Sequence, residues 1–322
     1  MPEIQPFCNT DRPALLEIWR KCSLSQPEHY RPLSTTLLEQ HILGSPIFDR
    51  YGLLLAHEEN TPVGFAHAAF GPNEDHTGVD RSTGVICLVM VDPDRPGKEE
   101  IAAALLRAAE NYLISKGATQ IYGGASRPLA PFYMGLYGGS EPIGVFQSDR
   151  LITWLYQSAG YQTIQQTVLY RLSLENYRVP INAKTVSWRR TLSLTFDDSP
   201  KPSHWWEACM MCHFEWLEMT GTLSGSEIPV AGVVVRTMVS AEEQLQNYYS
   251  ELGGLLNIQV DAEYRRKGLA TYILGAMIRY LQRRNVRTLE VQAPADNDSL
   301  IALLRFMKWS EIEQGAVFLK KI

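Results

Sequence analysis

Several large classes of protein are excluded by what this sequence does not contain. It has no uncharged apolar stretch long enough to span a bilayer, and its first residues, which include Glu3 and Asp11, hold no apolar run of a secretory signal. A cytoplasmic protein with no membrane partner is the expectation. Cysteine is scarce: five in 322 residues, an odd number without framework spacing, which fits thiols kept free in a reducing compartment. Basic charge is not in excess either. Thirty Lys and Arg against 35 Asp and Glu leave a net charge of −5, too little positive surface for a phosphate backbone, so no nucleic-acid partner is expected. The string Cys209-Met210-Met211-Cys212-His213 has the form of a haem-attachment motif. It stands without an export signal and without a second Cys/His pair at ligand spacing, so it reads as a packed helix-to-strand junction and no metal is expected.

What is present is ordinary globular material in an order that occurs twice. Hydrophobic residues make up 45% and charged residues 20% of the chain, and 322 residues suit two domains better than one. An apolar strand over 85–91 leads through a turn at 92–97 into a helical stripe of Ile101, Leu105, Leu106, Ala109 and Leu113. A second strand over 255–260 leads through 261–267 into the stripe Ile273, Leu274, Met277, Ile278 and Leu281. Each unit goes on to a strand (120–122; 288–292), a helix (151–159; 299–307) and a last strand (162–172; 315–320). Hairpin-like pairs precede both, at 52–57 with 63–70 and at 214–221 with 230–238. Strands followed by a strand-helix-strand-helix-strand unit predict an α/β fold, a mixed sheet carrying helices. The N-terminal copy opens with an amphipathic helix bearing Leu15, Ile18, Trp19 and Cys22; the C-terminal copy has only 203–211 in that place. Pro180 and its polar neighbours interrupt both periodicities, so the expected division is residues 1–176, a linker at 177–184, and residues 185–322.

The turn Arg265-Arg266-Lys267-Gly268-Leu269-Ala270 has the parts that hold a diphosphate, although taken alone a basic, glycine-containing turn reads first as a solvated helix start. Gly268 and Ala270 let a ligand approach the backbone, the first amides of the helix are unpaired donors, and three cations surround them. Residues 260–270 are similar to motif A of the GNAT superfamily of acetyl-CoA-dependent N-acetyltransferases, whose core is [Q/R]-x-x-G-x-[G/A]. Downstream, residues 297–309, beginning Asn297-Asp298-Ser299, resemble motif B, N-x-x-A-x-x-L-Y-x-x-x-G-F, with Leu304 in the tyrosine position, Lys308 for Gly and Trp309 for Phe. The N-terminal half resembles the same family with opposite strengths. Leu155-Tyr156-Gln157-Ser158-Ala159-Gly160-Tyr161 matches motif B closely, whereas Arg95-Pro96-Gly97-Lys98-Glu99-Glu100 keeps one glycine of motif A. Glu99 and Glu100 would repel a diphosphate.

The resemblance implies two tandem GNAT-like acyl-CoA N-acyltransferase domains, the first with a degraded cofactor loop. It implies acetyl-CoA as co-substrate in the second copy, held by Ile258, Gln259, Val260, the loop Arg265, Arg266, Lys267, Gly268, Leu269 and Ala270, and Asn297. It also implies direct attack of a small-molecule amine on the thioester, a backbone amide of the cofactor strand at the carbonyl oxygen, and a motif B tyrosine protonating the thiolate. Leucine at 304 cannot donate that proton. Asn257 in the strand, and Tyr249 and Glu251 just before it, are the candidate catalytic groups; Tyr248 shares that connection. The aromatic loop around Phe132 and Tyr137 either packs on its own domain or reaches the other cleft, and Trp205 and Trp206 are core and rim or a wall for the acceptor. The function expected is an N-acetyltransferase, with a non-catalytic acyl-CoA-binding or sensing protein, or a transferase using another acyl-CoA, as alternatives. A fused pair of this kind works as a monomer or a homodimer.

Overall fold

The structure is a computed structural model, and it describes all residues except 1, 182, 212–213, 239–247 and 249–250, with backbone only at Met211. Tyr249, Cys212 and His213 thus lie outside the described residues. The first half of the chain forms β1 (Glu3–Pro6), α1 (Arg12–Ser25), α2 (Thr35–Leu38), β2 (Leu53–Glu58), β3 (Thr61–Pro72), β4 (Val79–Val91), α3 (Lys98–Ser115), β5 (Gln120–Gly123), β6 (Val145–Phe146), α4 (Arg150–Ser158) and β7 (Gln162–Ser173). The second half forms α5 (Ala183–Thr191), β8 (Leu192–Asp197), α6 (Trp205–Met211), β9 (Phe214–Leu223), β10 (Pro229–Met238), β11 (Leu252–Val260), α7 (Leu269–Arg283), β12 (Thr288–Pro294), α8 (Asp298–Phe306) and β13 (Ser310–Lys321). Every helix and strand expected from periodicity is present. β1, β6, α5 and β8 were not expected.

The chain divides into two compact units that interleave in sequence. Unit 1 comprises Met1–Val168, Ser203–Cys212 and Glu313–Ile322; unit 2 comprises Leu169–Pro202 and His213–Ile312. A cut at 177–184 therefore does not separate them. Two pieces from the second half of the sequence, α6 and the end of β13, complete unit 1.

In unit 1, β1, β2, β3 and β4 are antiparallel neighbours, β5 runs parallel to β4, and the end of β13 closes antiparallel on β5 with Phe318 opposite Gly123. The α3 stripe of Ile101, Leu105, Leu106, Ala109 and Leu113 packs on Ala66, Ala68, Phe70, Ile86, Ile121 and Phe318. β3 alternates with period two, so His67, between Ala66 and Ala68, turns to the opposite face. There it meets Tyr133 and Phe132 of the 124–144 loop, and Tyr133 stacks on Trp19 of α1 at 5.7 Å. The aromatic loop thus packs within its own unit. α6 is pinned by Trp206, whose amide donates to the His76 carbonyl and whose indole N–H donates to the Pro128 carbonyl. Trp206 is core; Trp205 is exposed.

In unit 2, β8, β9, β10 and β11 are antiparallel neighbours and β12 runs parallel to β11. α7 buries Leu269, Ile273, Leu274, Met277, Ile278 and Leu281. The stretch expected as a linker is strapped to this unit. The Gln282 amide donates to the carbonyls of Leu174 and Tyr177, the Tyr177 hydroxyl donates to the Met307 carbonyl, and Val179 sits so close to Gly275 that a Cβ there would meet it at 2.6 Å. Among the described residues, no helix is long and apolar enough to cross a membrane.

Candidate functional site

The site grows from one irregularity in a strand. Along β10 and β11, Val234 faces Asn257 but Val235 faces Leu255, so Leu256 is an extra residue, a β-bulge. On its other edge β11 pairs with β12 only through Leu252, Gly253 and Gly254, opposite Thr288, Leu289 and Glu290. Beyond Gly254 the two parallel strands part, and among the described residues Ile258, Gln259 and Val260 pair with no strand on that side. Asn257, Ile258 and Val260 are half-buried and Gln259 is exposed. The edge is open to a ligand that could take up its backbone hydrogen bonds.

The strand runs into the basic turn. Asp261 caps a short 3-10 turn by accepting from the Glu263 amide, the Arg265 guanidinium donates to the Val260 carbonyl, and Gly268 starts α7 in the left-handed region at φ 81°. No acceptor among the described residues takes the amides of Lys267, Gly268, Leu269 or Ala270. Arg265, Arg266 and Lys267 are exposed around them. Asn297 is the N-cap of α8, its carboxamide oxygen accepting from the Leu300 amide at 3.1 Å, and Leu304 lies two turns on with its side chain fully buried.

The proposed catalytic residues are dispersed. Asn257 stands beside the bulge. Glu251 stands at the start of β11, where its carboxylate pairs with Arg287 and its carbonyl accepts from the amides of Arg287 and Thr288. Six residues separate it from Asn257, about 20 Å along an extended strand. Tyr248 is exposed. At this site the sequence reading missed the bulge, which has no residue signature, and α5, whose Trp188 indole donates to the Lys267 carbonyl at 2.7 Å. The only sequence signal for α5 is the short i, i+3 pair of Thr185 and Trp188.

Unit 1 repeats the plan and closes it. His67 faces Leu88 while Ala68 faces Ile86, so Cys87 is the bulged residue, and β5 leaves β4 after Ile86. Gly97 starts α3 at φ 69°, followed by exposed Glu99 and Glu100. Here Leu88, Val89, Met90 and Val91 are buried, and the parted strands enclose a small cavity bordered by Cys87, Tyr137, Asp149 and Tyr156. Burial raises the Asp149 carboxyl from its ordinary value and pushes the Tyr137 and Tyr156 hydroxyls far up, so both tyrosines stay protonated. Among the described residues no three His, Cys, Asp or Glu side chains are grouped to hold a metal ion.

This geometry has relatives. Residues 12–135 and 186–308 each match the acetyltransferase (GNAT) family, together well over half of the sequence, and the chain belongs to that family, twice over. No protein of curated function matches it by sequence. Among solved structures it is similar in fold, at TM-score 0.70 and 13% identity over 100% of this chain and 98% of that one, to a tandem GNAT protein from the clavulanic acid biosynthesis pathway, solved without acetyl-CoA. It is similar at TM-score 0.72 and 15% identity to a glucosamine N-acetyltransferase region of a fungal multi-domain β-N-acetylglucosaminidase, over 99% of this chain and 38% of that one. A GCN5-related N-acetyltransferase from Sphaerobacter thermophilus matches at TM-score 0.64 and 13% identity, over 99% and 95%. The fold is thus a tandem GNAT acyltransferase, a family whose members use acyl-CoA.

Proposed function

We propose that the second repeat binds acetyl-CoA and transfers its acetyl group to the amine of a small molecule, in a ternary complex. The observation that carries this reading is the contrast between the two repeats: among the described residues, β11 over 258–260 leads to amides without an acceptor, ringed by cations, whereas the equivalent part of β4 is buried and ends beside Glu99 and Glu100. The amides of Lys267, Gly268, Leu269 and Ala270, with Arg265 and Arg266, hold the diphosphate. The main chain of Ile258, Gln259 and Val260 pairs with the pantetheine amides, and Asn297 helps to orient the coenzyme while capping its helix. In transfer, the acceptor nitrogen bonds to the carbonyl carbon, the C–S bond breaks, the amine proton leaves and the thiolate gains one. Asn257, half-buried beside the bulge, orders a water for the proton step in this reading. Leu304 supplies no proton, so water or the acceptor serves the thiolate; Glu251, tied to Arg287, and Tyr249 remain the other candidates. The first repeat is a weak or non-binding partner, and the protein works in the cytoplasm as a monomer or homodimer.

Thiol release from acetyl-CoA mixed with polyamines, amino sugars, amino acids and peptides tests the proposal; no amine raising release above hydrolysis counts against it. The buried leucine at 304 favours a second reading, a protein that binds acyl-CoA without turnover. Calorimetric CoA binding without thiol release selects it. Propionyl- and succinyl-CoA, compared with acetyl-CoA, decide the acyl group, since no residue of the diphosphate loop reads it.

A further inference from the structure

Against the basic turn lies α5, a helix outside both motifs. Two of its side chains reach the loop, and both take hold of carbonyl oxygens: Lys184 Nζ donates to Arg266 at 3.3 Å and Trp188 Nε1 donates to Lys267 at 2.7 Å. The trans peptide ties each of these carbonyls to the next amide and points the two in opposite directions. Drawing the 266 and 267 carbonyls toward α5 therefore turns the N–H groups of Lys267 and Gly268 away from it, side by side. Arg266 adopts φ 58°, a left-handed conformation uncommon for a residue with a Cβ, and it is the residue whose carbonyl Lys184 holds. At Gly268 an added Cβ would fall 2.9 Å from Lys184 Cβ, so the motif glycine leaves room for α5. Trp188 also packs edge-on against Tyr264, whose ring lies under the Lys267 ammonium.

Resting on the cofactor site proposed above, we infer that Trp188 and Lys184 are positioning residues for a nucleoside-linked diphosphate. They fix two peptide planes so that consecutive amides face the ligand before it arrives. Preorganisation of this kind is read as affinity for the diphosphate and not for the rest of the coenzyme.

The test is calorimetry on the full chain with CoA and with S-acetylpantetheine, which lacks the diphosphate. Trp188→Phe keeps the ring against Tyr264 and removes the donor; Lys184→Met removes the ammonium from an exposed position. Each is expected to weaken CoA binding about fivefold, with S-acetylpantetheine binding and the thermal midpoint close to wild type. If both variants bind CoA like wild type, or lose CoA and S-acetylpantetheine in equal measure, the positioning role is wrong. The underlying site is tested separately by Arg265→Glu with Lys267→Glu: unchanged CoA binding there removes the site itself and this inference with it.

Discussion

Asp149 and Asn297 hold the same position in the two repeats. Each caps its helix by accepting from the amide three residues on, Ile152 or Leu300, at 3.1 Å, and their backbones match at φ −78°, ψ 82° and φ −86°, ψ 71°. The environments differ: Asp149 is buried beside the closed cavity of unit 1, and Asn297 is exposed. Burial raises the Asp149 pKa, opposed by its cap bond and by Lys98. The sign follows: a carboxyl raised on folding favours the folded state below its unfolded pKa, and that contribution is lost as pH rises through the folded value. Asp149→Asn keeps a good cap and removes the charge. It should be more stable than wild type at pH 7, with the gain shrinking as pH falls through the carboxylate range, as read by urea unfolding at several pH values.

Seven residues after each cap come Tyr156 and Leu304, both with almost no exposed surface. Tyr156 packs flat on Phe318 at 5.4 Å and fills the space over Gly123. Restoring tyrosine to the second repeat as Leu304→Tyr should overpack its core and cost ~1–3 kcal/mol, visible in the urea midpoint, without raising thiol release. Tyr156→Phe should leave thiol release within about twofold of wild type, because that hydroxyl lies in the repeat without an open edge.

The two helix-start glycines separate backbone strain from crowding. A Cβ at Gly97 meets nothing within 4 Å, whereas one at Gly268 meets Lys184. Gly97→Ala should cost ~1–2 kcal/mol for its left-handed backbone alone, and Gly268→Ala should cost more. Unfolding free energies of the pair check this. Loss of CoA binding in a Gly268 variant would mix ligand exclusion with loop displacement, which is why charge reversal at 265 and 267 is the cleaner probe.

His67 should contribute to the acid limb of the stability curve. It is fully buried, its Nδ1 shares a hydrogen bond with the Tyr133 hydroxyl, its Nε2 has no partner among the described residues, and burial drops its pKa to about 3. A histidine depressed on folding contributes stability that is complete above its unfolded pKa, about 6.5, and is lost as pH falls toward the folded value. Between those limits the slope is at most ~1.4 kcal/mol per pH unit. In His67→Phe that part of the slope should vanish from a pH series of urea melts; an unchanged slope would assign the limb to other groups.

The repeats were legible because their signals are local. The 3.6-residue stripes of α3 and α7 and the glycine before each helix can be read without knowing what they touch, and the basic turn follows from the same segment. Assembly was not local. The alternation in β13 says that it is a strand, yet nothing in Phe318, Leu319 or Lys320 says that their partners are near residue 120. α5 is nine residues long with only Thr185 and Trp188 buried, too little pattern to stand out from a linker. The bulges at Cys87 and Leu256 leave no mark, since an extra residue in a strand is defined by its neighbour's register. Glu251 looked close to the cofactor strand in sequence and is close, but at the end where the strands are still paired.

The closure of β5 by residues 318–321 also sets a timetable for synthesis. Gly123 emerges 195 residues before its partner Phe318, which at about 5–20 residues per second is a wait of roughly 10–40 s. Throughout that interval the nascent first unit presents an unpaired, apolar strand edge, a template for mispairing with neighbouring chains. Translation speed across the second half of the message, and any holdase that shields that edge, should therefore govern the soluble yield more than codon choice in the first half.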